Sequence, residues 1–386
     1  MADAGPYRQD EEVFRGIRTK WQLSENNQYQ REEDMSRTSL IIKNTIKSFP
    51  VGKKLRDMYH RRNLTRKNAE NAFDLYYRDN LSMDREKTVA DMLSEAQKYS
   101  IGFNEYNMYH FERKTFAERR EYVSDRERIT YCERMNNMKN MILFDDKGKT
   151  YEIFKKYYHR DLLEIFGKES RSAFDAFIEK HPHFIVKPFD GACGIGIKIV
   201  DSKEKDTKNL LQELLKEYPK GFVAEELIIQ HTEMRRLHPQ SVNTLRMPAI
   251  NYGDHVEILH PVLRIGRGDS IVDNGGSGGI SCGVDLGTGV IYSAVDEEGR
   301  DYVKHPDTGV VLLGYRVPFW EEAKAFVCEL AQVIPDNHYT GWDIALTDKG
   351  WVLQEGNDRG GFMLIQITTG KGFRPEIDRI IKKLGV

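Results

Sequence analysis

Residues 341–361 read GWDIALTDKGWVLQEGNDRGG, and they constrain the fold of this chain more than any other stretch. Apolar runs at 342–346 and 351–353 flank Thr347, Asp348, Lys349 and Gly350, a pattern that predicts a β-hairpin. Asp343 lies in the first strand, Glu355 follows 12 residues later and Asn357 two after that. Residues two apart in an extended segment point the same way, so Glu355 and Asn357 aim at the point where the neighbouring strand presents Asp343. Three hard oxygen ligands placed in this way suit Mg²⁺, which takes one or two carboxylates and leaves its other positions to water and substrate phosphates. A surface hairpin with solvated acids would read the same locally. The rest of the chain decides between the two.

At 386 residues the chain exceeds one ordinary hydrophobic core, which predicts two or three lobes. Its 58 basic and 60 acidic residues leave a formal charge of -2, so no overall field favours nucleic acid as a partner. Cys132, Cys193, Cys282 and Cys328 are widely spaced and form no C-x-x-C pair. Neither a zinc site nor a disulfide framework is indicated, and a reduced cytoplasm is the expected compartment. The start, MADAGPYRQDEEVFRG, lacks the apolar core of a signal peptide. No stretch approaches the roughly 20 apolar residues of a membrane-spanning helix, so a soluble protein is expected.

Residues 1–25 are polar. From about 33 to 130 the sequence is rich in Arg, Lys, Glu, Tyr and Met, with apolar residues at helical spacing such as Leu40, Ile41 and Ile46, or Phe73, Tyr76 and Tyr77. Several helices are expected here. Between Lys43 and Lys67 there are nine basic residues against one acid, Asp57. Such a run is a candidate contact for anionic lipid headgroups at the inner face of a membrane, or for a partner protein, and equally fits a solvated helix face. From about 140 the texture changes to strands alternating with helices. Residues 141–144 are a short apolar run, 151–166 read as an amphipathic helix, and 183–186 read as a strand ending in Lys187-Pro188. The loop from Asp190 to Gly196 leads into another strand, and 222–229 read as a third.

Within that loop, Gly191, Gly194 and Gly196 allow a backbone to approach phosphate closely with free N–H groups. Strand, glycine loop, strand is neither a P-loop nor a Rossmann site, both of which open a helix after the glycines. Lys187, at the end of the strand before the loop, is placed to lie along nucleotide phosphates. Lys147, 40 residues earlier, could supply a second positive charge. The segment Glu225, Glu226, Leu227 and Ile228 ends a strand and can pair its backbone with an adenine edge. Arg246 falls on the polar face of an alternating run and can hold a phosphate bidentately. Arg264 ends a further strand. The glycine-rich residues 273–279 read as a mobile cover or binding loop.

The order Lys147, Lys187 with its glycine loop, 225–228, Arg246, Arg264, then Asp343, Glu355 and Asn357 resembles the ATP-grasp superfamily. The strings HPHFIVKPFDGACGIGI, EELIIQHTEMRRLHPQSVNTLR, VDNGGSGGISCGVD and GWDIALTDKGWVLQEGND look more specifically like its branch found with sugar-transfer and surface-polysaccharide genes. The resemblance spans about residues 130–380. It implies an α+β ATP-grasp fold, two lobes with mainly antiparallel sheets clamping ATP, preceded by a helical N-terminal region. On this basis the expected divisions are 1–130 helical, 131–185 leading segment, 186–235 small lobe with the glycine loop, and 236–386 large lobe with the metal site.

The resemblance further implies ATP and Mg²⁺, with two ions expected. Lys147 and Lys187 would contact the phosphates, and Asp190, Gly191, Gly194 and Gly196 would cover them. Glu225 and the backbone of Glu226, Leu227 and Ile228 would hold adenine, with Glu233 a candidate for the ribose. Asp343, Glu355 and Asn357 match the metal ligands, and Arg246 and Arg264 match positions that steady the transferring phosphoryl group. Cys193, inside the loop, reads as a small neutral residue. The expected reaction is ATP-dependent joining of a small-molecule carboxylate, a sugar acid or amino acid, to an amine through an acyl phosphate. The alternatives are a small-molecule kinase on the same site, or a non-catalytic nucleotide-binding scaffold docking on a membrane or glycosyltransferase through residues 43–67.

Overall fold

The computed structural model describes residues 63–386 apart from 79, 81, 138, 190–195 and 204–206. The basic run at 43–62 and the loop positions Asp190, Gly191, Cys193 and Gly194 therefore lie outside the described residues. The chain divides between Asn68 and Ala69, and the fold below is that of residues 69–386.

Helices come first: α1 (Arg66–Tyr76), α2 (Arg85–Tyr99), α3 (Phe103–Met108), α4 (Phe116–Arg120) and α5 (Asp125–Met135). Three of these helices begin at a side-chain cap. Asp84 accepts from the Lys87 N–H, Thr115 and Glu118 form a reciprocal capping box, and Ser124 accepts from the Glu127 N–H. Apolar side chains at helical spacing, Val89, Met92 and Ala96 in α2, turn one face inward. Val89 and Met92 join Tyr106, Tyr109 and Phe111, and this core also includes Ile367 from the C-terminal part of the chain. Gln366 ties the two together. Its Nε2 donates to Tyr109 Oη and the Val123 carbonyl, both at 2.9 Å, and its Oε1 accepts from the N–H of Val123 at 2.8 Å and of Phe373 at 3.1 Å. Gln366 is fully buried. Replacing it with alanine strands these partners, and we expect a loss of roughly 3 kcal/mol in urea denaturation.

Helices α6 (Met141–Asp145) and α7 (Lys147–Tyr158) follow. The apolar run at 141–144 is thus helical. The helix expected over 151–166 stops at Tyr158, where His159 takes a left-handed conformation, and Leu162–Ile165 form strand β1 instead. Periodicity gave no warning, because β1 is fixed by antiparallel pairing with a strand about 60 residues away.

The first sheet has the order β1-β4-β2-β3, with β2 (His183–Pro188), β3 (Lys198–Asp201) and β4 (Phe222–Glu226). Alternation gives it two distinct faces. Phe184, Val186, Val200, Phe222 and Ala224 pack against Phe174, Phe177 and Ile178 of α8 (Arg171–Lys180) and Leu210, Leu211 and Leu214 of α9 (Thr207–Glu217). Lys187 and Glu225 lie on the opposite face, two residues apart along paired strands.

The second sheet runs β11-β10-β5-β7-β8-β9, with β6 beside β5, and every pairing in it is antiparallel. Its strands are β5 (Thr244–Asn251), β6 (Val256–Ile258), β7 (Val262–Ile265), β8 (Ile280–Val284), β9 (Ile291–Val295), β10 (Tyr339–Thr347) and β11 (Gly350–Asn357). A short helix, α10 (Thr232–Arg235), precedes it; α11 (Trp320–Gln332) lies against one face, and α12 (Met363–Thr369) and α13 (Arg374–Leu384) end the chain. Leu245, Met247, Leu263, Trp342, Ile344 and Leu353 join Ala323, Val327 and Leu330 of α11 in the main core. The polar residues of the same strands are left on the other face.

Candidate active site

The predicted hairpin forms, with Thr347 opposite Gly350, which has φ of +102°, a conformation glycine adopts at little cost. The strand pairing slips by one residue between Asp343 and Ile344. Gln354 is the extra residue, a β-bulge that re-aims the side chains beside it. Glu355 consequently stands directly opposite Asp343, and Asn357 opposite Gly341.

On the next strand Arg246 is opposite Asp343 and makes a two-pronged pair with it: Nε and Nη2 each donate to one carboxylate oxygen, the latter at 2.8 Å. Arg264 Nη2 lies 3.4 Å from Asp343 Oδ2 and 3.4 Å from Asp273 Oδ1, and Asn357 Nδ2 approaches Asp343 Oδ2 at 3.5 Å. Burial alone would push the Asp343 carboxyl up, but the Arg246 and Arg264 guanidiniums outweigh it and hold it below the usual range. Asp273 differs. Burial dominates there and raises it, despite Arg264 and the Thr244 N–H that donates to it at 2.9 Å.

Two observations make this face suited to a divalent cation with bound phosphate. Glu355 is exposed beside buried Asp343, and among the described residues its carboxylate has no hydrogen bond or ion pair. The buried Arg264 Nε also has no partner there. A sheet face that carries a carboxylate and a guanidinium N–H without partners among the described residues fits a metal–phosphate group.

The second cluster lies on the first sheet. Lys187 Nζ is 2.5 Å from Glu225 Oε2, and Arg160 Nε donates to Glu225 Oε1 at 2.6 Å. Glu225 is 3% exposed. Its desolvation raises the carboxyl pKa, yet Arg160 and then Lys187 more than reverse this, taking it from 4.5 down to about 2. A carboxylate with a depressed folded value stabilises the fold fully above its unfolded pKa and loses that contribution as pH falls through the folded one. We therefore expect the urea midpoint to drop between pH 4.5 and about 2, with that part of the slope missing in Glu225→Gln.

Other expected positions fall as follows. Gly196 has φ of +73° and its carbonyl accepts from Tyr218 Oη at 3.1 Å. Lys147 is the first residue of α7, after the N-cap Asp146. Glu226 ends β4, and its carboxylate accepts from the Asp161 N–H at 3.0 Å; Leu227 and Ile228 follow the strand, half-buried. Glu233 in α10 pairs with Arg236 at 3.3 Å. Among the described residues, neither Lys147 nor Glu233 shares a hydrogen bond or ion pair with either cluster. The sequence reading missed Arg160, Gln354 and Asp273. Arg160 was concealed inside the expected helix, and Asp273 within a loop read as a cover.

The family described as sugar-transfer associated ATP-grasp matches residues 126–382. The chain belongs to this ATP-grasp family. Among solved structures, the ATP-grasp ligase PsnB, complexed with minimal precursor, Mg and ADP, is 13% identical with a TM-score of 0.39, covering 65% of this chain and 62% of its own. The D-alanine–D-alanine ligase of Helicobacter pylori is 13% identical with a TM-score of 0.40, covering 64% of this chain and 62% of its own. That of Bacillus anthracis complexed with ATP is 16% identical with a TM-score of 0.41, covering 64% and 69%. The alignment to PsnB thus spans less than two thirds of that protein's length. No curated protein matches. The ATP-grasp family match covers the hairpin, Arg246, Arg264 and Lys187. No described helix is long and apolar enough to cross a membrane.

Proposed function

We propose that the chain is an ATP- and Mg²⁺-dependent ligase that joins a carboxylate to an amine through an acyl phosphate. The observation that carries this reading is the sheet face on which Asp343, Glu355 and Asn357 converge beside Arg246 and Arg264. Asp343, Glu355 and Asn357 would hold Mg²⁺, with Glu355 serving two ions. When bound, the metal neutralises phosphate charge and orients the γ-group. Lys187, steadied by Glu225, would lie along the phosphates, with Lys147 and the loop from Asp190 to Gly196 completing the enclosure. Glu225 is engaged by Arg160 and Lys187. Its part is therefore to position Lys187, and contact with adenine rests on the backbone of Leu227 and Ile228.

The carboxylate oxygen attacks the γ-phosphorus and releases ADP. The amine then attacks the acyl carbon, phosphate leaves, and an amide remains. Arg264, with its unpartnered Nε, and Arg246 would offset the charge on the transferring group, so the protein contributes positioning and electrostatics more than covalent chemistry. By analogy with the sugar-transfer association of the family, we take the acid to be a sugar acid or amino acid and the amine an amino sugar or amino acid.

An assay of ADP release from Mg·ATP against a panel of such carboxylates, with and without hydroxylamine, tests this. ADP and hydroxamate appearing together with one carboxylate is the expected result. ADP with an acceptor alcohol and no hydroxamate would mean a kinase, and measurable ATP binding with no product across the panel would favour a scaffold. Lys187→Ala should weaken ATP binding roughly 10- to 100-fold by calorimetry, the value of a charge-assisted phosphate contact.

A further inference from the structure

We infer that Arg160 is a positioning residue linking the nucleotide-phosphate cluster to the metal strand. The inference rests on the ligase reading and concerns a residue to which neither the family resemblance nor the sequence motifs give a role. The side chain is 4% exposed and its donors are divided between the two sheets. One edge of the guanidinium, Nε and Nη2, meets Glu225 Oε1, whose partner oxygen holds Lys187. Nη1 donates to the carbonyls of Leu353 at 2.5 Å and of Tyr158 at 3.1 Å, and Nη2 reaches the Gln354 carbonyl at 3.5 Å. Leu353 and Gln354 immediately precede Glu355, and Gln354 is the bulged residue that sets it opposite Asp343.

The backbone reinforces the connection. The Asp161 N–H donates to the Glu226 carboxylate and the Glu226 N–H to the Asp161 carbonyl, each at 3.0 Å, so the pair 160–161 is fastened to the pair 225–226. One planar ion therefore joins Lys187, through Glu225, to the backbone that presents Glu355. A displacement of Lys187 by nucleotide phosphates is felt at the metal ligand, and the reverse holds equally, since coupling between two binding events is reciprocal. Lysine in place of Arg160 can keep the charge beside Glu225. As a point donor it cannot also span to both β11 carbonyls.

The test is calorimetric titration of the full chain with the non-hydrolysable ATP analogue AMPPNP, in EDTA and in Mg²⁺. In Arg160→Lys the metal-free affinity should stay within about threefold of the native protein, while the factor by which Mg²⁺ tightens binding should fall roughly tenfold. A purely structural role would weaken both affinities in proportion and leave that factor unchanged, and such a result overturns the inference. If Arg160→Lys does not fold, the variant Arg160→Met/Glu225→Leu, which removes both buried charges together, takes its place; loss of the Mg²⁺ factor supports the link and its retention overturns it. Native protein that binds no AMPPNP, or binds it without regard to Mg²⁺, overturns the ligase reading and this inference with it.

Discussion

Glu355→Ala is expected to abolish turnover and leave the fold intact. The side chain is exposed, and among the described residues it makes no hydrogen bond or ion pair, so its removal should change stability by less than about 0.5 kcal/mol. Its proposed work is entirely toward the metal. Removing a carboxylate that would hold Mg²⁺ would deprive the transferring phosphoryl group of counter-charge, and we expect a loss of at least roughly 10³-fold in ADP release. Thermal denaturation beside the ADP assay separates the two effects. Full activity in this variant would remove Glu355 from the site.

The second large effect is on stability. Arg246→Met should cost about 3–5 kcal/mol in metal-free urea denaturation, because it leaves the Asp343 carboxylate buried without its bidentate partner. Arg264, at 3.4 Å from Asp343 and shared with Asp273, and Asn357, at 3.5 Å, cannot replace a two-pronged contact. Replacing both members with apolar residues, Arg246→Met with Asp343→Leu, should recover most of that loss, since no lone charge then remains buried. A single variant as stable as the native protein would show that water reaches Asp343, and that the pair is not a buried one.

These expectations draw on residues of unequal visibility in the sequence. That Glu355 and Asn357 share a face was legible, because they lie two apart in one strand of a local hairpin. The bulge at Gln354 was not legible, although it determines that Glu355 and no other residue faces Asp343, because a bulge depends on how the partner strand is filled. Arg246 and Arg264 could be placed on a polar face, but their attachment to Asp343 and Asp273 joins positions far apart in the chain. Arg160 was invisible for a related reason. Residues 151–166 carry a helical pattern of apolar side chains, and the break at His159 follows from the pairing of β1 with β4, which no local signal announces. The helical texture of the segment before 130 was readable from composition. Its fastening to α12 through Gln366 was not, because a single glutamine shows nothing of the four partners it will meet.

The central claim is that a carboxylate is activated by phosphorylation. Once the panel has named a carboxylate, it should be prepared with ¹⁸O in both carboxyl oxygens and turned over with ATP, Mg²⁺ and the amine, and the released phosphate analysed by mass. Attack by that oxygen on the γ-phosphorus, followed by cleavage of the acyl C–O bond, must deliver one ¹⁸O to each phosphate, and this is the predicted result. Phosphate carrying no label would mean that water or another acceptor took the phosphoryl group, and label appearing in AMP would mean an acyl adenylate; either would contradict the account.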